Sequence, residues 1–237
     1  MKLVLPAALA LLLCQGTAQA QPIPASSQAI EPWGDPASGD GLTPRFLRWL
    51  AGQSGLELAQ DTRPLSRVLE DLKSGRDALA LITASAERDG FGLELCRPAE
   101  IRLSVIYRRG PRTLRTADFN NRPVGILRGT HTLDGFVAAS GAHPVLVNDM
   151  RQGFAMLRIG RLDAMMCVRP GCGRVLRELF SPADHWAELA VSSEPMAVYV
   201  SRAHPLARDA AALERLRAAC VSAAGRREMA ELLSRYD

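Results

Sequence analysis

The sequence is poor in aromatic residues, in lysine and in long apolar runs, and each shortage excludes a class of protein. Aromatic side chains make up 5% of the 237 residues, and no segment interleaves them with basic residues as nucleic-acid-binding surfaces do. Nearly all basic residues are arginines, with Lys73 the only lysine beyond position 20, and they are scattered among acids. The sequence therefore predicts no nucleic-acid partner, despite a formal net charge of +4.

The most apolar segment lies at the N-terminus, over Leu3 to Leu13, and is too short to cross a bilayer as a helix. A basic residue precedes it, and Ala18-Gln19-Ala20 follows with the small-x-small pattern that a signal peptidase reads. We therefore expect a cleaved signal peptide over residues 1–20 and a mature protein in the periplasm. Cys14 leaves a lipoprotein signal as an alternative, although Leu13 stands where that signal has a small residue.

Metal-binding patterns are also missing. Four cysteines follow the predicted leader, namely Cys96, Cys167, Cys172 and Cys220. In an oxidising compartment an even number suggests disulfides, with three possible connectivities, and Cys167 and Cys172 are close enough to close a small loop. There is no CxxC, and the four histidines show no ligand spacing, so disulfides or buried thiols are favoured over zinc. We expect no metal and no cofactor.

Short apolar runs alternate with amphipathic stretches along the chain, which is typical of an α/β protein. Glycine, proline and capping residues mark the ends of the predicted elements. Helices are predicted over 44–52, 64–73, 132–140, 149–160, 211–220 and 224–234. Strands are predicted over 56–60, 78–82, 101–107, 123–127, 144–147, 189–191 and 196–201, with a non-strand crossing at 192–195.

The most informative feature is a similarity between two segments of the chain, called here the internal echo. Residues 68–81 read VLEDLKSGRDALAL and residues 154–167 read FAMLRIGRLDAMMC, so both place an amphipathic helix before a glycine, an arginine, an aspartate and an apolar strand. Gly75 and Gly160 lie too far apart for a solenoid repeat. The echo predicts two related lobes, each with a helix–glycine–strand unit. The alternative is that a helix followed by a glycine and a strand recurs in any α/β protein, without any relation between the lobes.

Several short motifs follow one another in a fixed order. They are Trp33-Gly34, Gly41-Leu42, Leu65-Ser66-Arg67, Gly75-Arg76-Asp77, the TASAER stretch from Thr83 to Arg88, the VGILRGT stretch from Val124 to Thr130, and GRLDA from Gly160 to Ala164. In their order and spacing the chain resembles the family 3 extracellular solute-binding proteins, which are the amino-acid-binding components of ABC importers. The likeness covers nearly all of the chain beyond the leader.

The resemblance implies the two-lobed type II periplasmic binding-protein fold, in which each lobe is a mixed, mostly parallel sheet flanked by helices. Lobe 1 would comprise residues 21–105 plus 195–237, and lobe 2 residues 108–190. Crossovers near Ser104 to Gly110 and Val191 to Pro195 would form the hinge. A solute bound between the lobes would stabilise the closed state, because only closure makes both sets of contacts.

Arg88 is the first candidate for ligand binding. In the family, an arginine at this place in the T-x-S-x-x-R stretch binds a substrate carboxylate, which a guanidinium matches with two charge-assisted hydrogen bonds. Thr83 and Ser85 lie just upstream, at the end of an apolar strand, where hydroxyl and backbone groups complete the grip. The alternative is an ordinary solvated pair of Glu87 and Arg88 in a loop.

Two further places resemble ligand contacts of the family. The Gly129-Thr130 turn between a strand and a helix presents backbone N–H groups and a hydroxyl to an anion, with Arg128 or His131 adding charge. The alternative there is a plain threonine N-cap. Trp33 lies in the first loop, where the family often places an aromatic lid over the ligand, and the alternative is an anchor in the core.

One departure from the family concerns the ligand's amine. Amino-acid binders of this family usually hold the ammonium with an acid five positions after the aspartate of the Gly160–Asp163 turn, and here that position is Val168, followed by Arg169. An α-amino acid is therefore in doubt, and a carboxylate or another polar solute is favoured. If the ligand does carry an ammonium group, Asp149 or Asp163 would have to supply the missing negative charge.

The resemblance implies a monomer that delivers a small polar solute to a membrane permease. Dehydratases of the same fold are an alternative, since they add a carboxylic acid in the cleft for proton transfer. Glu178, Glu188 and Glu194 all fall outside the cleft motifs, and no Ser/His/Asp or Cys/His arrangement stands out, so no enzymatic activity is expected. The other alternative is a sensor or accessory binding module without a permease of its own.

Overall fold

A computed structural model describes residues 21–128, 130–181 and 183–236 as an α/β structure with one curled, mixed sheet. Strands β1 to β8 span Ile23–Gln28, Leu58–Arg63, Leu79–Thr83, Gly92–Arg108, Pro123–Leu127, His143–Val147, Ala164–Arg169 and Trp186–Ser201. Helices α1 to α8 span Leu42–Gln53, Leu65–Ser74, Ala86–Phe91, Asp134–Ser140, Met150–Arg158, Cys172–Leu179, Ala210–Val221 and Ala223–Tyr236. Residues 1–20, with the predicted signal peptide, lie outside the described part.

The sheet has the order β2-β1-β3-β8-β4-β7-β5-β6. At one end β1 pairs in parallel with β2 and β3, and at the other end β5 pairs in parallel with β6 and β7. The antiparallel pair β4 and β8 lies between them and is the longest, with 17 and 16 residues. Each half is thus mostly parallel and joined to the other through two strands.

The central pair corrects the sequence prediction of a crossing at 192–195, because β8 is one continuous strand from Trp186 to Ser201. The register slips at Val191, since Leu103 lies opposite Ser192 while Ser104 lies opposite Ala190. An extra residue in one strand bends and twists the pair locally. The proposed hinge at 104–110 and 191–195 coincides with this bulge and stays a prediction.

Both predicted helix–glycine–strand units are present. Gly75 follows α2 with φ of 78° before β3, and Gly160 follows α5 with φ of 75° before β7. Only glycine adopts this left-handed backbone without a steric cost, which explains why a glycine follows both helices. At the start of α5, the Asp149 carboxylate accepts the backbone N–H of Gln152 at 2.7 Å, as expected of an N-cap.

Two disulfides select one of the three connectivities. Cys96–Cys220 joins β4 to α7 across 124 positions, and Cys167–Cys172 joins the end of β7 to the start of α6 across five. The first ties the C-terminal helices to the central pair. The second closes a small loop at the edge of the cleft described below. Among the described helices, none combines the length and apolarity that a membrane span requires.

Candidate functional site

A cavity of about 730 Å³ lies between the two halves of the sheet. Its walls come from residues of the 83–88, 131–139 and 190–194 segments, which follow β3, precede and form α4, and belong to β8. The ends of strands from both halves therefore meet over the central pair. Clefts of this kind, outside the carboxyl ends of parallel strands, are the usual ligand sites of α/β proteins.

A smaller cavity of about 50 Å³ continues from the main one. Its lining is mostly apolar and includes Trp33, Ile101, Val168 and Met196. Thr83, Arg88 and Thr132 line both cavities, so charge and hydroxyl groups are concentrated where the two meet. A solute with one polar end and a short apolar part would match this division.

Arg88 lies at the junction of the two cavities and is 7% exposed. Its Nη1 donates to the carbonyl and the hydroxyl oxygen of Thr83, and its backbone N–H donates to the Ser85 hydroxyl at 3.3 Å, which caps α3. Burial lowers the pKa of the guanidinium, and in the described part of the chain Arg88 forms no ion pair. Glu87 acts on the guanidinium only through space, and a buried cation without an ion-pair partner is costly, so an anionic ligand would offset part of that cost.

Three buried polar atoms beside the cavities have no hydrogen-bond partner among the described residues. They are Gln28 Oε1, Thr132 Oγ1 and Ser192 Oγ. Gln28 lines the small cavity, Ser192 the main one, and Thr132 both. Since buried polar groups in folded proteins are nearly always paired, these atoms are available to hydrogen-bond a polar occupant of the cavities. Sequence reasoning missed all three, although Thr132 lies only two residues after the Gly129-Thr130 turn.

The other predicted site residues are divided between the cavities and the surface. Trp33 is 2% exposed and lines the small cavity, so it both packs in the core and faces the site. Thr130 lines the same cavity, but its hydroxyl donates to the Leu127 carbonyl at 2.8 Å. Because α4 begins only at Asp134, Thr130 does not cap it, and the predicted helix start at 132 was too early.

The remaining residues of the predicted turn contribute little to the cavity walls. His131 lines the main cavity but is exposed, with its Nδ1 3.0 Å from Asp134 Oδ2. Arg128 is exposed, contacts Asn148 Oδ1 at 3.5 Å and lines neither cavity. Gly129 lies outside the described residues. The turn therefore supplies Thr130 and His131 to the site, but not the charge of Arg128.

The acidic residues require one correction. Glu194 was predicted to lie outside the cleft, but it lines the main cavity, as Glu87 does. Glu194 lies opposite Ile101 in the β4–β8 pair, and partners in an antiparallel pair point to the same face. Asp149 and Asp163, named as possible compensation for Val168, line neither cavity.

The other two glutamates are held by arginines away from the main cavity. Glu188 accepts hydrogen bonds from Arg169 at 2.8 Å and from Ser104 at 2.6 Å, and Arg169 holds its pKa below the usual value. Glu178 is bound by Arg151 and Arg174, which also lower its pKa. Neither carboxyl group lines either of the two cavities.

Tyr199 positions the short helix that carries Arg88. Its hydroxyl donates to Asp89 Oδ1 at 2.7 Å, and burial raises the pKa of the phenol to about 12. Below pH 10, the ordinary pKa of a phenol, the neutral side chain contributes fully to the stability of the fold. This contribution is lost as the pH rises through about 12. Tyr199→Phe is expected to cost about 1 kcal/mol of unfolding free energy near neutral pH.

The measurement for this variant is a tyrosinate absorbance titration together with chemical denaturation. The unchanged chain is expected to show a late ionisation step near pH 12, and Tyr199→Phe is expected to lack it. Identical titration curves for the two proteins would contradict the assignment.

In comparisons with known proteins, no protein-family model and no curated protein matches the sequence. Solved structures match closely in shape. The GluR0 ligand-binding core from Nostoc punctiforme, in complex with L-glutamate, has a TM-score of 0.75 at 14% identity over 91% of this chain and 99% of that chain.

Two further structures have a similar shape. The substrate-binding protein of an amino acid ABC transporter has a TM-score of 0.70 at 15% identity, covering 91% of this chain and 98% of that chain. The periplasmic VFT2 domain of BvgS from Bordetella pertussis has a TM-score of 0.71 at 15% identity, covering 91% and 93%. At the level of the fold the predicted resemblance to family 3 solute-binding proteins is confirmed: the chain has the two-lobed type II periplasmic binding-protein fold.

Proposed function

We propose that this protein captures a small carboxylate-bearing solute between its two lobes in the periplasm and delivers it to an ABC-type importer. The observation that carries the proposal is Arg88, a buried guanidinium at the junction of two cavities that forms no ion pair in the described part of the chain. The similarity to a substrate-binding protein of an ABC transporter supports the importer as partner.

The chemistry of the site favours a carboxylate over other anions. A guanidinium presents parallel N–H donors that match the two oxygens of a carboxylate. Arg88 already donates Nη1 to Thr83, which fixes the plane of the fork and lowers the entropy lost on binding. Thr132, whose hydroxyl has no partner among the described residues, lines the same cavity as Arg88. Its hydroxyl can therefore donate a second hydrogen bond to the carboxylate.

The rest of the solute is expected to be short and uncharged. The small cavity beside Arg88 is lined by apolar side chains and by Val168, where amino-acid binders of this fold have an acid. An ammonium group there would lose its hydration without gaining a counter-charge. The carboxylates of Glu87 and Glu194 lie on the wall of the main cavity and do not line the small one.

The test combines identification with matched ligands. Protein purified without refolding is analysed by mass spectrometry for a released solute, and we expect a small carboxylate. In thermal-shift assays, pyruvate is compared with L-alanine and 2-oxobutyrate with L-2-aminobutyrate, since each pair differs only in carrying a keto oxygen in place of the amine.

We expect the oxo acid to stabilise the protein at least as much as its amino-acid partner. Stabilisation by the amino acids alone, or release of a solute that lacks a carboxylate, would refute the proposed specificity.

A further inference from the structure

Two loops from opposite parts of the sheet touch beside the small cavity. One joins β1 to α1 and the other joins β7 to α6, although β3, β8 and β4 separate β1 from β7 in the sheet. A Cβ placed on Gly171 would overlap the ring of Pro32 and lie 2.9 Å from the Glu31 carbonyl oxygen. Arg174 Nη1 also lies 3.8 Å from Glu31 Oε1. The loops therefore meet at contact distance.

The loop after β1 is held firmly on its own side. The carbonyls of Pro32 and Trp33 each accept a backbone N–H from the first turn of α1, from Leu42 and Thr43, both at 3.0 Å. Pro32 and Trp33 are buried. This half of the contact is a rigid surface, because its position is fixed by the helix.

The loop after β7 is held by different means. The Cys167–Cys172 disulfide spans it, with the two Cα atoms 5.4 Å apart. Just before the loop, Arg169, the last residue of β7, donates to Glu188 on β8 at 2.8 Å. Gly171, at φ of 122°, is the residue that reaches the opposite loop. The disulfide thus fixes the ends of the segment that carries the contact.

The residues next to the contact line the proposed binding site. Trp33 follows Pro32, and Val168 follows Cys167, and both side chains line the small cavity with Arg88. Pro32 and Gly171 do not line the small cavity themselves, so their contact would act on it through Trp33 and Val168.

We propose that Glu31, Pro32, Gly171 and Arg174 form a latch that closes the site, and that the Cys167–Cys172 disulfide holds the latch in position. Gly171 acts as a positioning residue that does not touch the solute. The effect of the latch on solute retention rests on the proposed function. The contact between the loops is a property of the protein alone, so it can be tested without a ligand.

The test compares Gly171→Ala with Gly160→Ala. Both glycines have a positive φ, so both variants strain the backbone, but a Cβ on Gly160 meets nothing within 4 Å. Hydrogen exchange of peptides covering 29–34 and 168–173 is measured without ligand. We expect about tenfold faster exchange in both segments for Gly171→Ala and no change there for Gly160→Ala. Equal exchange in the two variants overturns the latch.

A second pair of variants keeps the test decisive if Gly171→Ala does not fold. Removal of Cys167 and Cys172 as a double alanine variant should raise exchange in 29–34, a segment that neither cysteine belongs to. Removal of Cys96 and Cys220 should leave the hydrogen-exchange rate of 29–34, relative to that of the rest of the chain, unchanged. If 29–34 exchanges alike in both double variants, the disulfide does not hold the latch.

Native mass spectrometry of the purified variants separates the two proposals. With an intact latch and a working site, Gly160→Ala should retain the co-purifying solute and Gly171→Ala should lose it. Faster loop exchange with a carboxylate still retained supports the loop contact but overturns its role in retention. A released solute without a carboxylate refutes the proposed function and leaves the exchange result valid.

Discussion

Arg88→Ala is expected to lower affinity for the solute by about 30-fold or more, because truncating one partner of a buried charge pair costs about 2–5 kcal/mol. The free protein should keep its stability, since the variant removes a buried cation that forms no ion pair in the described part of the chain. Only Thr83 loses a partner. The measurement is the thermal stabilisation produced by the solute that mass spectrometry identifies.

Two variants serve as controls for this result. Arg88→Lys keeps the charge but not the planar fork, so it should recover only part of the affinity. Arg67→Ala removes an exposed arginine that pairs with Glu70 at 2.8 Å, and it should bind as the unchanged chain does. Full ligand-induced stabilisation of Arg88→Ala would show that another group holds the anion.

Removal of the Cys96–Cys220 disulfide by a double alanine substitution is expected to cost about 5 kcal/mol of unfolding free energy, by the loop-closure entropy of a long loop. The bond spans 124 positions and ties α7 to β4, so its loss frees most of the unfolded chain. The Cys167–Cys172 bond spans five positions and should contribute only about 2 kcal/mol. Chemical denaturation under oxidising conditions measures both.

The comparison is controlled within the chain, because all four cysteines are buried and each double variant removes two sulfur atoms. We expect the two disulfides to separate stability from binding. The long-range bond should dominate the unfolding free energy, and the short one should dominate solute retention through the latch. A larger loss of stability from the short bond would contradict the entropic argument.

Much of the fold was predictable because glycine, proline and capping residues mark the ends of its helices and strands. The 123–127 strand agrees with β5 at both ends, α2 is capped by the predicted Gly75, and α5 ends two residues before the predicted Gly160. The strand β1 was missed because Ser26, Ser27 and Gln28 are polar although buried, and Ser26 donates to the carboxylate of Asp77. A strand with several buried polar side chains gives no apolar pattern to read.

The candidate site was predictable only where a local motif carries it. Arg88 and Thr83 lie within one short stretch and meet at the cavity junction. Gln28, Thr132 and Ser192 come from three distant segments, and only the sheet order brings them together. Glu194 was misplaced because its segment was predicted as a crossing, whereas its pairing with Ile101 in a continuous strand turns it to the cleft.

The spacing of the two disulfides has a consequence for the proposed periplasmic location. A chain exported from its N-terminus would bring Cys96 into the oxidising compartment before its partner Cys220, with Cys167 and Cys172 arriving between them. Closing a short ring is entropically cheaper than closing a long one, so the adjacent cysteines should pair first. Once they have done so, Cys96 has a single thiol left to find. The small ring then acts as an internal safeguard against mispairing during maturation.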